Sequence, residues 1–112
     1  MQIREDEPPA EAFGAAAEAL KLLADETRLR ILWNLLHGEH SVNELADHLD
    51  AQPATVSHHL ARLRAAGAVR TRREGTRIFY SADNEHVEAL VAQTLHHTSH
   101  HRPVALFGER SA

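Results

Sequence analysis

One segment of the chain, residues 52–67, carries side chains whose chemistry suits a nucleic acid. Hydroxyl, imidazole and guanidinium groups all form hydrogen bonds to phosphates or to base edges. The segment offers them at positions away from its apolar residues: Thr55, Ser57, His58, His59, Arg62 and Arg64. Taken alone, these side chains could equally form the solvated face of an ordinary surface helix.

The charge distribution favours the nucleic-acid interpretation. The formal net charge of −4 at pH 7 argues weakly against a nucleic-acid partner. Residues 53–81, however, contain six arginines and one glutamate, so this segment carries +5 and the rest of the chain −9. A basic segment on an acidic chain is the electrostatic footprint of a nucleic-acid interface, and its position matters more than the total.

Length and composition bound the class of protein. The chain has 112 residues, 43% of them hydrophobic, which is typical of one globular domain and not of a disordered chain. It has no cysteine, which excludes disulfides and thiolate metal sites. No apolar run is long enough to span a membrane, and the acidic N-terminus has no signal-peptide pattern, so we expect a cytoplasmic protein.

Helix signals make this segment the second of two short helices. Ser41 and Glu44 form a capping box for a helix over residues 42–49. Pro53 suits the first position of the next helix, and Gly67 suits the residue past its end. An inward apolar stripe recurs along that helix at helical spacing: Val56, Leu60 and Leu63. Two short helices joined by a tight turn, the second polar and basic outside, are typical of a helix-turn-helix, whose second helix enters the major groove.

Three further helices are predicted around this pair. The first covers residues 10–23 and has an apolar stripe that we expect to pack against a partner, or else on its own domain: Phe13, Ala16, Ala17, Leu20 and Leu23. The second covers residues 26–37, is capped by Asp25 and has the stripe Leu29, Leu32, Trp33 and Leu36. The last covers residues 84–100, is capped by Asp83 and has the stripe Val87, Leu90, Val91 and Leu95.

A basic hairpin follows the helix-turn-helix. Residues 68–73 and 77–81 are strand-like, with a turn at residues 73–76. A hairpin directly after a recognition helix is a wing. We expect three of its arginines to contact phosphate or the minor groove: Arg72, Arg73 and Arg77. The alternative is an ordinary hairpin, since any hairpin can carry arginine. The predicted fold is therefore mainly α with a small β-hairpin, a winged helix-turn-helix.

The order of these elements and four stretches of sequence resemble the ArsR/SmtB family of winged-helix metal-responsive repressors. The stretches are residues 22–32, 41–46, 57–63 and 77–80, and the resemblance covers roughly residues 14–101. It implies a homodimer formed through the first and last helices, a double-stranded operator DNA as partner, and release of the DNA when an effector binds.

Effector sites differ within the family, so each has to be compared with this sequence. One family site needs Cys-x-Cys in the helix before the recognition helix. The absence of cysteine from residues 41–46 excludes an arsenic, cadmium or lead thiolate site there. Another family site lies on the last helix, and its three nitrogen positions correspond to His86, His97 and His100.

The sequence departs from that site at its fourth position. Asn84 stands where the family has an aspartate, with Asp83 and Glu85 beside it. Residues 84–87 and 71–76 look like the nickel/cobalt-sensing branch, which also lacks that aspartate and takes further ligands from the helix end and tail. This chain offers His96, His100 and His101 there. The implied effector is a divalent transition metal: zinc, nickel or cobalt.

The histidine spacing needs two copies of the helix. His86 and His97 share a helix face but lie about 16 Å apart along the axis, whereas a zinc ion bonds nitrogen at about 2.0–2.1 Å. Two helices crossing antiparallel can bring His86 of one copy to His97 and His100 of the other. Three imidazoles and one oxygen suit tetrahedral zinc, and more ligands would suit nickel or cobalt. The alternative is a solvated polar end with incidental metal affinity.

Two other functions remain open at this point. One is a winged-helix repressor that is not controlled by metal. The other is a small zinc hydrolase. The sequence has no His-Glu-x-x-His pair and no nucleophile paired with a base. We therefore predict that the chain is not an enzyme. For the domain organisation we expect a mobile acidic arm at residues 1–9, one DNA-binding and dimerisation domain at 10–101, and a loose tail at 102–112.

Overall fold

The computed structural model describes the backbone of residues 4–100 and the side chains of residues 4–96. Its elements in chain order are α1 (Ala10–Leu23), α2 (Glu26–Leu36), α3 (Val42–Leu49), α4 (Pro53–Ala65), β1 (Val69–Glu74), β2 (Arg77–Ala82) and α5 (Glu85–His100). This order confirms the mainly α fold with one hairpin. Part of the predicted arm, residues 1–3, and all of the predicted tail lie outside the described residues.

The predicted caps of the helix-turn-helix are present. The Asp25 carboxylate accepts a hydrogen bond from the backbone N–H of Arg28 at 2.9 Å, which begins α2. Ser41 and Glu44 form both bonds of the capping box, at 2.8 and 3.2 Å, which begins α3. Pro53 occupies the first position of α4. The caps of α2 and α3 are strong signals because their side chains satisfy backbone N–H groups that a helix leaves unpaired. Pro53 is a strong signal because it has no N–H to leave unpaired and its φ already suits a helix.

The core lies between α2, α3 and α4. The predicted stripe of α4 is fully buried: Val56, Leu60 and Leu63. The predicted stripe of α2 was wrong in part, since its buried residues are Arg28, Ile31, Leu32 and Leu35. Trp33 is 46% exposed and, with Leu29, lines an open groove beside Leu95. Apolar residues occupy most positions of α2 from Leu29 to Leu36, so spacing alone could not decide which face is buried.

Two helices carry apolar residues that this single chain leaves exposed. In α1 only Leu23 is buried, while Phe13 and Leu20 are each 56% exposed. In α5 Val91 is buried, but Leu90 is 38% exposed. None of the helices within residues 4–100 is long and apolar enough to cross a membrane.

The hairpin is a two-stranded antiparallel sheet joined to the helical part. Its strands pair from Val69 with Ala82 to Glu74 with Arg77, and Gly75 has φ 64° in the turn. Tyr80 exchanges two backbone hydrogen bonds with His40, at 2.8 and 3.1 Å, and His40 lies in the loop between α2 and α3. We call β1 and β2 together the wing, because they follow the recognition helix and pack beside it.

Candidate DNA interface and metal ligands

Helix α4 presents most of the predicted DNA-binding side chains to solvent. Its buried stripe faces α2 and α3, and the remaining face carries exposed polar and basic residues: Thr55, Ser57, His58, Arg62 and Arg64. Within residues 4–96 neither arginine of this helix forms an ion pair with a carboxylate. Their guanidinium groups are therefore available to a phosphate or a base edge.

His59 does not face out as the sequence analysis expected. It is half-buried, and its Nδ1 lies 3.3 Å from Nη1 of Arg28. The reason is its position, three residues after Val56 and four before Leu63, which puts it at the border of the buried stripe. Its predicted contact with DNA stays a prediction, but this ring nitrogen is engaged inside the protein.

The three predicted wing arginines have different surroundings. Arg73 is exposed and has no ion pair within residues 4–96. Arg77 stands 4.0 Å from a carboxylate oxygen of Glu44. Arg72 is held by two carboxylates: its Nε lies 3.2 Å from Glu39, its Nη2 contacts the same carboxylate, and its Nη1 lies 2.8 Å from Glu74.

Two of these arginines contact the same aromatic ring. The guanidinium carbon of Arg72 lies 4.9 Å from the centre of the Phe79 ring, and that of Arg77 lies 4.7 Å from it. Both distances are within the range of a cation–π contact. Phe79 thus contacts one cation from each strand of the wing.

Ion pairing changes the acidity of the groups involved. The side-chain hydrogen bond from Arg72 lowers the pKa of Glu39, and the same bond raises the pKa of Arg72. The backbone N–H of Ser41 lowers the pKa of Glu44, with a smaller effect from Arg77. These glutamates are therefore ionised at neutral pH and offset part of the wing's positive charge. The sequence analysis missed Glu39, which is 33 residues from Arg72.

The start of α5 holds several of the predicted metal ligands. Asn84 caps the helix, since its Oδ1 accepts from the backbone N–H groups of His86 at 2.9 Å and Val87 at 3.1 Å. The predicted cap, Asp83, was wrong: it pairs with Arg70 at 3.0 Å instead. A cap must lie two or three residues before the N–H groups it accepts from, and Asn84 has that register. To bind a metal, this oxygen would have to share its lone pairs with the helix end.

The remaining predicted ligands are spread over α5. His86 and Glu85 are exposed in its first turn, and His96 is exposed near its end. The side chains of His97 and His100, and all of His101, lie outside the described residues. Within residues 4–96 no three histidine, aspartate or glutamate side chains are grouped closely enough to hold a metal ion. The spacing argument puts the ligands on two copies, so a single chain does not test it.

Comparisons with known proteins agree with this architecture. A family model described as "Bacterial regulatory protein, arsR family" matches residues 25–71. The HTH-type transcriptional regulator KmtR of Mycobacterium tuberculosis is 45% identical over 98 residues, which are 88% of this chain and 75% of that protein. The cadmium resistance transcriptional regulatory protein CadC homolog of Staphylococcus aureus is 40% identical over 93 residues, which are 82% and 74% of the two proteins.

A solved structure extends the likeness to the whole fold. The homodimeric winged helix-turn-helix DNA-binding domain of Mb0332 from Mycobacterium bovis superposes with a TM-score of 0.73 at 31% identity. The match covers 100% of this chain and 99% of that domain. The predicted winged helix-turn-helix is therefore confirmed.

Proposed function

Because the chain belongs to the arsR family of bacterial regulatory proteins, we propose that it is a metal-controlled transcriptional repressor. In this proposal it binds operator DNA as a homodimer and leaves the DNA when a divalent transition metal binds. Membership of a family of DNA-binding regulators confirms the prediction that the chain is not an enzyme. A repressor acts on the chromosome, so the proposal places the protein in the cytoplasm.

The surface of α4 supports the DNA-binding part of the proposal. Its inner stripe fixes the helix on α2 and α3. Its outer face offers short polar groups and two arginines that form no ion pair among the side chains of residues 4–96. We infer that α4 enters the major groove, with Arg62 and Arg64 contributing mainly affinity and Thr55, Ser57 and His58 contributing sequence choice. The wing would reach the adjacent backbone, with Arg73 as its least constrained cation.

The observation that carries the dimer is the exposed apolar surface of α1 and α5. Phe13, Leu20 and Leu90 are 56%, 56% and 38% exposed, although all three are large hydrophobic residues. Fully burying such a side chain contributes about 1.5–3 kcal/mol, so burying the exposed part of each against a second copy contributes about half of that. The named relative Mb0332 is homodimeric. We infer that α1 and α5 form the interface, which puts two α5 helices next to each other.

Two adjacent α5 helices would also create the metal sites. The His86 side chain is exposed, and within residues 4–96 no hydrogen bond or ion pair holds its imidazole. Together with His97 and His100 of a second copy it would supply three nitrogen ligands, which fit zinc, nickel or cobalt. Asp83, Asn84, Glu85, His96 and His101 are the candidates for the remaining ligands. The absence of cysteine excludes a thiolate site for a softer metal.

Linkage connects the two proposed activities. A metal bound across the dimer would favour one angle between the α5 helices and therefore one spacing of the two α4 helices. If that spacing does not fit the operator, metal weakens DNA binding, and DNA weakens metal binding by the same factor.

A DNA-release titration tests the proposal. Fluorescence anisotropy of the protein on the DNA upstream of its own gene is followed during separate additions of Zn²⁺, Ni²⁺ and Co²⁺. We expect one ion to release the protein near one equivalent per chain, and His86→Ala and His97→Ala to abolish that release. His37→Ala, which changes a histidine distant in sequence from α5, is the matched control and should behave as the wild type.

The second candidate is a repressor that is not controlled by metal. It would bind the same DNA, and no ion would move it at stoichiometric amounts. If His97→Ala still left the DNA normally when metal was added, the proposed ligand set would be refuted. A chain that binds none of the upstream duplex would contradict the DNA-binding proposal itself.

A further inference from the structure

Arg28 is the one charged side chain that is buried within residues 4–96, with 6% of its surface exposed. Its Nε donates to the carbonyl of Leu22 at 2.6 Å, and its Nη2 donates to the carbonyl of Lys21 at 3.4 Å. Its Nη1 lies 3.3 Å from Nδ1 of His59 and 4.0 Å from the carboxylate of Asp25. A buried cation is tolerated only when its donors are satisfied in this way, because removing it from water is costly.

These contacts join three helices through one guanidinium group. The carbonyls of Lys21 and Leu22 belong to the last turn of α1, where a helix leaves its carbonyls without the usual i+4 donors. The carbonyl of Lys21 also accepts from the backbone N–H of Ala24 at 3.3 Å. Arg28 itself is on α2, and His59 is in the middle of α4. A guanidinium only donates, so this contact is a hydrogen bond when Nδ1 of His59 is the acceptor, as in the tautomer with the proton on Nε2. The end of α1 is therefore connected to the recognition helix by directional hydrogen bonds.

We propose that Arg28 and His59 are positioning residues for DNA binding: their contact fixes the direction of α4 relative to α1. This inference rests on the proposed homodimer, in which α1 lies at the interface. Fixing α4 relative to α1 then fixes the separation of the two recognition helices, which must match successive major grooves. Packing of the α4 stripe restricts the crossing angle of the helix only to within about 15–20°, so a directional hydrogen bond can fix it further.

The length of α4 makes its direction matter. The helix has 13 residues, so it is about 20 Å long. His59 is six residues from Pro53, so a tilt of about 10° around His59 would move the N-terminal end of α4 by about 1.5 Å. A displacement of this size is about three times the range of roughly 0.5 Å over which a hydrogen bond to a base edge forms. Loss of the Arg28 contact should therefore relax the choice of half-site spacing.

Substitutions at His59 separate the contact from the side chain. In His59→Asn the Oδ1 atom is as many bonds from Cα as Nδ1 is in histidine, so the acceptor for Arg28 is retained. In His59→Leu the acceptor is lost while a side chain of moderate size remains. His58→Leu is the matched control, because it removes the neighbouring exposed imidazole, which has no hydrogen bond to Arg28.

The experiment measures the preference for one separation of the two half-sites. Loss of a direct contact between a side chain and DNA would not change this preference. A palindromic duplex is first selected from random sequences with the wild-type protein. Affinities are then measured by anisotropy for that duplex and for versions with one or two base pairs inserted or removed between the half-sites. Dimerisation is checked by sedimentation and folding by circular dichroism.

We expect the wild type to prefer one spacing clearly, and His59→Leu to reduce this preference about three- to tenfold, as loss of a partly exposed hydrogen bond to a charged group allows. His59→Asn should keep the preference within about twofold of the wild type. His58→Leu should weaken binding to every spacing variant by the same factor, because all of them carry the same two half-sites. If His59→Leu fails to fold, His59→Ala provides the same comparison with His59→Asn.

Two results would overturn this inference alone. Wild-type spacing preference in His59→Leu would show that the contact does not direct α4, and equal relaxation in His59→Asn would show that the acceptor is irrelevant. A wild type that binds DNA as a monomer, with no spacing preference, would instead overturn the homodimer proposal and this inference with it.

Discussion

We predict that removing the charge of Glu39 strengthens DNA binding, because Glu39 occupies Arg72, which we propose contacts the DNA backbone. The carboxylate of Glu39 contacts Nε and Nη2 of Arg72, and Glu74 contacts Nη1, so the guanidinium is paired on two sides before any phosphate approaches. In Glu39→Gln the charge is removed while the shape is kept. Arg72 then retains its stacking on Phe79. The amide oxygen of Gln can still accept from one guanidinium N–H, so Arg72 gains one free donor and loses one neutralising charge.

The magnitude follows from counterion release. Each additional phosphate neutralised on duplex DNA steepens the dependence of log affinity on log salt by about 0.9. If Arg72 gains one phosphate contact, the affinity ratio of Glu39→Gln to wild type should rise about 3.5-fold between 200 and 50 mM salt. Because phosphates are common to all sequences, the gain should be similar on operator and unrelated duplexes.

The assay is an anisotropy titration at four salt concentrations between 50 and 200 mM. Glu26→Gln is the matched control, because it also changes the net charge by one. It removes a 2.8 Å ion pair with Arg30 on α2, which is away from the wing. Identical slopes for the two variants would mean that only net charge matters. A gain that persists in an Arg72→Gln background would refute the assignment to Arg72.

Three further outcomes follow from the fold. Leu60→Ala, at a fully buried position of α4, should lower the free energy of unfolding by about 2–5 kcal/mol, measured by urea denaturation; a cost near that of a surface change would contradict the described core. The pKa of Asp25 is lowered, chiefly because its carboxylate accepts from the backbone N–H of Arg28. Stability from this carboxylate should be present above the ordinary aspartate pKa and be lost as pH falls through the lowered value, and Asp25→Asn should remove that part of the acid sensitivity in unfolding measured from pH 2 to 6. Leu20→Glu places a charge on the exposed face of α1, so sedimentation should show a folded monomer, and a persistent dimer would exclude that face from the interface.

Much of the fold could be predicted because its signals are local. Ser41 with Glu44, and Asp25, each determine a helix start through groups only three residues away, and Pro53 does so through its own fixed φ. The stripe of α4 could be predicted because no other large apolar residue occurs in that helix. The buried face of α2 could not, since apolar residues occupy most of its circumference. The predicted cap of α5 was wrong by one residue, because Asp83 and Asn84 are both good caps and only the ion pair with Arg70 separates them.

The site residues that sequence reasoning missed depend on contacts between distant parts of the chain. Arg28 is 31 residues from His59, and Glu39 is 33 residues from Arg72. No spacing rule relates such pairs, since they meet only after the helices and the wing have packed. One feature of the sequence indicated burial of Arg28, namely its position just before the strongly apolar run of α2. The predicted metal ligands remain predictions, because they need a second copy of the chain.

The two backbone hydrogen bonds between His40 and Tyr80 give the molecule a mechanical property. They connect the wing to the loop that leads into α3, which limits movement of the hairpin relative to the helix-turn-helix. In the proposed complex the distance between α4 and the wing is therefore largely set before the DNA is contacted. A duplex whose groove geometry differs from that distance would have to deform, so local DNA stiffness would contribute to the choice of operator.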